Sequence, residues 1–218
     1  MSPILLGASV LDVIFENWKN TRMKTFNTNE LITDLKKITE DNITIVSKKF
    51  KHLSDEQKTW RPSRDSWNIL EIFSHLNVYS AFYNSAFIEK IQKTKFKEAK
   101  DTFVSSPLGR SAWKSMKLGR ANNIKRKFKA PKNYNPSNSP ELVSSDAIEK
   151  FAKNQKEVIE ILDLAKTVNL RKVKIPISIS KIVRLRLGDA LMFVIYHNER
   201  HMQQALNIIA HPKFPKKK

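Results

Sequence analysis

The chain contains no cysteine. That excludes disulfides, thiolate metal ligands and a cysteine nucleophile, and it fits a reducing compartment. Glycine is nearly as scarce, with four in 218 residues. Gly7, Gly109, Gly119 and Gly188 form no GxGxxG, no GxxxxGK[ST] and no GxSxG. Nucleotide cradles and nucleophile elbows are therefore not expected, and a glycine-rich all-β fold is disfavoured. No apolar run is long enough to span a bilayer. The N-terminal stretch "MSPILLGASVLDVIF" lacks a basic leader region and is interrupted by Asp12, so the expected location is cytoplasmic.

Positive charge, by contrast, is abundant. Forty lysines and arginines stand against 21 acidic residues, a net charge of +19. The basic runs are "IKRKFKAPK" at 124–132, "RKVK" at 171–174, "KIVRLR" at 181–186 and the tail "KFPKKK". Such a surface gathers anions, whether small molecules, lipid or nucleic acid. No aromatic-studded strand motif or zinc-finger spacing accompanies it, so nucleic-acid binding is the lesser reading.

Apolar periodicity predicts four amphipathic helices. The first opens at an Asn27/Glu30 capping box and carries Leu31, Leu35, Ile38, Val46, Phe50 and Leu53. A second starts near Trp67, a third near Asp146 and Glu149, and the last runs from about Leu187 to Ala210, where Pro212 follows. Residues 101–142, with "SSPLGRSAW" and "KAPKNYNPSNSP", read as a long irregular connection between the second and third helices. "LRKVKIPISISKIVRL" reads as a connection with a short extended piece. The expected fold is all-α, a four-helix bundle over residues 23–211 followed by a basic tail at 212–218. Residues 1–22 are either a short amphipathic helix or an extension upstream of a start at Met23.

Histidine is rare too, with five in the chain, yet His197 and His201 stand four apart in "YHNERHMQQ". At about 100° per residue they fall roughly 40° apart on the stripe that also holds Ala190, Val194 and Ala205. Tyr196, Glu199, Arg200, Gln203 and Asn207 fall on the opposite arc. His75 shares the apolar face of the second helix with Ile72, Tyr79 and Phe82. Two imidazoles at i and i+4 reach one ion, and a facing helix supplies a third, as bundles do when they build metal sites in their cores. Three neutral imidazoles suit Zn²⁺, Ni²⁺ or Fe²⁺ and leave positions for water or substrate. The bland alternative is three core histidines, each with its own hydrogen-bond acceptor. HExxH is ruled out because Glu199 does not follow the first histidine directly. Asn42, Gln155 and Gln204 interrupt or border the apolar stripes and are candidates for supporting the site or touching substrate.

"SWNILEIFSHL", "KFKAPKNYNP" and "LGDALMFVIYHNERHMQQ" together resemble the DinB-like superfamily over about residues 28–210. The resemblance implies a four-helix bundle with metal-binding histidines at His75, His197 and His201. It further implies an activity among thiol-dependent transfer and metal-dependent hydrolysis. With no cysteine in the chain, the nucleophile would be water or a low-molecular-weight thiol as co-substrate. Transfer of that thiol to a small electrophilic substrate is the preferred expectation, with hydrolysis or polyanion binding as alternatives; a homodimer is left open.

Overall fold

The computed structural model describes residues 23–119, 121, 123–124 and 128–216. The N-terminal helix expected before Met23 lies outside these residues, as do Lys217 and Lys218 of the tail. The described residues are mostly helical, with six α-helices and two small antiparallel sheets.

Strand β1 (Lys24–Asn27) leads into α1 (Thr28–Ile45). Asn27 caps α1 by accepting from the Glu30 amide at 3.1 Å, which offsets one of the unpaired N–H groups of the first turn. Leu31, Leu35, Thr39 and Asn42 line its buried face, and the stripe continues to Val46 and Phe50 through one π-turn (Val46–Phe50). That extra residue per turn carries Phe50 inward onto Phe73, with ring centroids 5.3 Å apart. Short α2 (Asp55–Thr59) follows behind a Ser54/Gln57 capping box.

The second long helix, α3 (Ile69–Lys93), opens on a reciprocal box between Asn68 and Glu71. Glu71 is also paired with Arg61 at 2.6 Å. Helix α5 (Ala147–Ala165) and α6 (Leu187–Ile209) are the other two long helices. Helix α1 packs on α5 and α6, and α3 packs on the same two. Their apolar residues form two buried clusters, one around Tyr83, Phe103, Trp113 and Phe193, the other around Phe50, Phe73, Phe151 and Met202. At about 25 cal/mol per Å² of apolar surface removed from water, such residues supply the main drive for folding.

The connection at 101–142 is more ordered than its composition suggests. Strand β2 (Thr102–Ser105) pairs with β1, and α4 (Pro107–Met116) follows immediately. Ser106 caps α4 by accepting from Gly109 N at 3.0 Å, and Pro107 takes the first helical position, where a missing N–H costs nothing. Gly109 lies against the Asp189 side chain, and a Cβ on Gly188 would come within 2.7 Å of the Phe103 ring. Both glycines are there for close approach, and they let α4 and β2 lie on the start of α6. Helix α4 therefore covers the arc of α6 that helical periodicity assigns to solvent. Tyr196 is buried there, with the Trp113 ring 6.2 Å from its own, and Glu199 is half-buried; Arg200, one turn further on, is buried with its guanidinium 5.1 Å from the Phe128 ring. Between α4 and α5 the described residues are irregular apart from two single turns, Lys132–Tyr134 and Pro140–Leu142.

The short extended piece before α6 is a hairpin, β3 (Lys174–Ile177) and β4 (Ser180–Arg186), with an irregularity at Pro176/Ile177. At the C-terminus the segment read as a basic tail folds back. Phe214 meets the Trp60 ring edge-on at 5.6 Å, and Pro215 O accepts from Gln57.

Candidate metal centre

On α3 and on α6 alike, the inward histidines fall between residues of the two apolar clusters. His75 lies between Ile72 and Tyr79; His197 and His201 lie between Phe193 and Ala205. The three rings meet there, with centroids 5.2 Å apart for His75–His197, 4.8 Å for His75–His201 and 4.6 Å for His197–His201. One candidate ligand nitrogen from each lies within 4.8 Å of the other two.

Hydrogen bonds fix which nitrogens are free. His75 Nδ1 is 2.5 Å from the Tyr134 carbonyl oxygen, which can only accept, so Nδ1 carries the proton and Nε2 presents its lone pair. His201 Nδ1 donates in the same way to Gln204 Oε1 at 2.9 Å. An acceptor on the outer nitrogen that leaves the inner one bare is the usual support for a metal-ligating histidine. His75 Nε2 and His197 Nε2 face each other at 3.3 Å. Two nitrogens bound at 2.0–2.1 Å to one tetrahedral ion stand about 3.3–3.4 Å apart, so the pair fits such an ion. His197 Nδ1 is buried with no partner. In a metal-free cluster of neutral rings, His197 satisfies at most one of its two nitrogens.

All three imidazoles are held neutral. Burial lowers His75 to about 4, and the Tyr134 carbonyl offsets this only in part. Burial also takes His197 well below its ordinary value, with His201 and His75 adding in the same direction. His201 is lowered by burial and by His75, against the opposing bond to Gln204. Neutral imidazole is the form that ligates.

Aromatic rings wall the cluster. Trp67, just before the cap of α3, lies 4.8 Å from the His75 ring and stacks on His201 at 6.0 Å, while its Nε1 donates to Ser137 Oγ at 2.9 Å. Tyr79 is 4.9 Å from His75 and 4.6 Å from His197. Sequence reasoning does not find Trp67, Tyr79 or Tyr134 as parts of the site. Tyr79 stands one helical turn after His75, a signal that was available. The contribution of Tyr134 to His75 is a backbone carbonyl and leaves no side-chain signature.

The candidate supporting residues separate. Gln204 touches the cluster through His201. Asn42 and Gln155 are buried on α1 and α5, and Gln155 Oε1 accepts from Asn198 at 3.4 Å. Asn42 Nδ2, Gln155 Nε2 and Asn198 Oδ1 have no partner.

A mostly helical protein with three converging, neutral histidines, two of them buried and His201 half-buried, is thus the class that fold and site define. The family model of the DinB superfamily matches residues 39–205, and the chain belongs to that superfamily. No curated protein and no solved structure matches the chain. Among the described residues, no helix is long and apolar enough to cross a membrane.

Proposed function

We propose that this chain is a metal-dependent enzyme on a four-helix-bundle frame, transferring a low-molecular-weight thiol to a small electrophile. His75, His197 and His201 would hold the cation, Zn²⁺, Ni²⁺ or Fe²⁺, with Gln204 orienting His201. The observation that carries this reading is the facing Nε2 pair at 3.3 Å, backed by the two outer acceptors that turn His75 and His201 Nε2 inward. A divalent cation bound there supplies Lewis acidity that favours thiolate over thiol near neutral pH.

The chain's own residues supply the rest. Tyr134 O and Gln204 Oε1 hold the two rings with their Nε2 atoms inward. Trp67 and Tyr79 limit water around the cluster, which strengthens electrostatic interactions inside it. The chain has no cysteine, so the sulfur comes from the co-substrate. In the transfer, the thiol proton goes to solvent and sulfur bonds to the electrophilic carbon. The pair of the broken bond leaves with the leaving group, which departs as free halide when the electrophile is an aryl halide.

The test is elemental analysis, followed by thiol consumption with L-cysteine and an aryl halide. Near-stoichiometric metal and a turnover abolished by chelator and by His197→Ala/His201→Ala are expected. Metal-dependent ester cleavage with no thiol requirement would instead make it a hydrolase. The net charge of +19 favours a second reading, a polyanion-binding protein. That reading predicts affinity for nucleic acid that falls steeply with salt and is indifferent to chelator.

A further inference from the structure

Tyr134 belongs to two places at once. Its carbonyl receives His75 Nδ1–H, and the residue also lines a groove of about 620 Å³ between the Pro131–Tyr134 segment and the tip of the β3–β4 hairpin. That volume is in the range of small-molecule sites, roughly 300–1,000 Å³. Phe82, Pro176, Ile177 and Ile179 make its walls mostly apolar. Lys132 is the one charged side chain among the described residues that line it.

Ser178, at the hairpin tip, connects the groove to the centre. It lines both the groove and a smaller cavity that reaches Tyr79 and Tyr83. Its carbonyl accepts from Tyr134 OH at 3.4 Å, its amide donates to Tyr83 OH at 3.3 Å, and its side chain lies in hydrogen-bonding reach of the Tyr79 and Tyr83 hydroxyls. Tyr79 in turn lies 4.7 Å from the Tyr134 ring and 4.6 Å from His197. The groove is therefore separated from the histidines by one layer of tyrosine rings.

We propose that this groove binds the non-reacting body of the electrophilic substrate, and that this substrate is an apolar, aromatic-sized molecule with one anionic group. The apolar walls take the body, and Lys132 meets the anion. The net charge of +19 raises the local concentration of such anions. The role as substrate site rests on the thiol-transfer reading, whereas binding itself does not.

The experiment is calorimetric titration of full-length protein with cinnamate and with its neutral analogue, cinnamyl alcohol. Wild type is expected to bind cinnamate saturably and about fivefold more tightly than the alcohol. Metal-free His197→Ala/His201→Ala protein is expected to bind it as well. Ile179→Asp, at the half-buried hairpin tip, should weaken cinnamate about tenfold or more with circular dichroism unchanged. Lys132→Met should abolish the preference for the anion while leaving the alcohol unaffected. Absence of saturable binding, equal affinity for the two probes, or insensitivity to Ile179→Asp would overturn the proposal. A metal-loaded enzyme that turns over thiol yet fails these tests loses the groove and keeps the reaction. Cinnamate binding without metal-dependent turnover does the reverse.

Discussion

Helix α6 carries two buried polar clusters about two turns apart, and the difference between them separates scaffold from site. In its first turn the Asp189 carboxylate accepts from Ser105 Oγ at 2.5 Å, Ser106 N at 3.0 Å and Ser106 Oγ at 2.8 Å. Each of those groups has its acceptor, and the cluster ties β2 and α4 to α6. Further along, His197 and His201 meet His75 with two Nε2 atoms face to face and one ring nitrogen unpartnered. Both clusters are buried, and burial pushes both toward the neutral form, raising Asp189 and lowering the histidines. Polarity and burial are thus common to the two; unmet hydrogen-bonding capacity belongs to one. The Asp189 cluster is complete without a ligand, while the histidine cluster turns two Nε2 atoms on each other, an arrangement that a cation between them would satisfy; His197 Nδ1 stays without a partner in either state.

The largest expected effect tests that distinction directly. A metal that binds only the folded state adds about 4 kcal/mol at a thousandfold excess over its Kd. Wild type and Asp189→Ala should gain alike in thermal unfolding with added Zn²⁺, and His197→Ala/His201→Ala should gain nothing. A comparable gain in the double variant would mean the cation binds elsewhere. Asp189→Ala itself should lose about 3 kcal/mol in urea unfolding, because two hydroxyls and one amide are left without their acceptor. A loss below about 1 kcal/mol would mean that α4 is held by its apolar contacts alone.

Acid should move the two clusters in opposite directions. For His75, lowered from 6.5 to about 4, the unfolded chain takes up protons that the folded chain refuses as pH falls through that interval. The stability present above pH 6.5 is then lost toward pH 4, roughly 3 kcal/mol for His75 alone, and His197 and His201 add in the same direction. Asp189 is raised above 3.8, so acid favours its folded state over the interval down to that value. Urea unfolding of metal-free protein between pH 7 and pH 4 should therefore show a fall that His75→Gln flattens and Asp189→Asn does not. Equal slopes in wild type and His75→Gln would contradict the burial assigned to the ring.

Much of this was legible in sequence, and the exceptions have two causes. The long helices follow from apolar spacing, and the inward direction of His75, His197 and His201 follows from the same period. Helix α4 escaped notice because "SSPLGRSAW" has the composition of a loop. Its Ser106 and Pro107 are start signals, and Gly109 serves contact with Asp189 within what was expected to be an irregular connection. Helix α4 and the segment carrying Phe128 cover Tyr196 and Arg200, which fall on the arc opposite the histidines; one helix's periodicity does not reveal what packs on its other side. The outer acceptor of His75 was illegible for a different reason. It is the backbone oxygen of Tyr134, 59 residues away in the chain, and any residue type could supply it.

That last contrast sets the smallest and most selective prediction. His201 is oriented by a side chain, Gln204, and His75 by a backbone oxygen, so only the former can be removed by substitution. Gln204→Leu should weaken metal affinity about tenfold, the lower end for an outer-shell partner, because the His201 ring loses the acceptor that keeps Nε2 inward. Gln204→Glu should tighten it, since a carboxylate holds the Nδ1 proton more strongly and makes Nε2 the better donor. Competition against a chelator of known affinity reads both. If Gln204→Leu and Gln204→Glu shift affinity in the same direction, Gln204 acts through packing, and orientation of His201 must come from the stacked Trp67 ring.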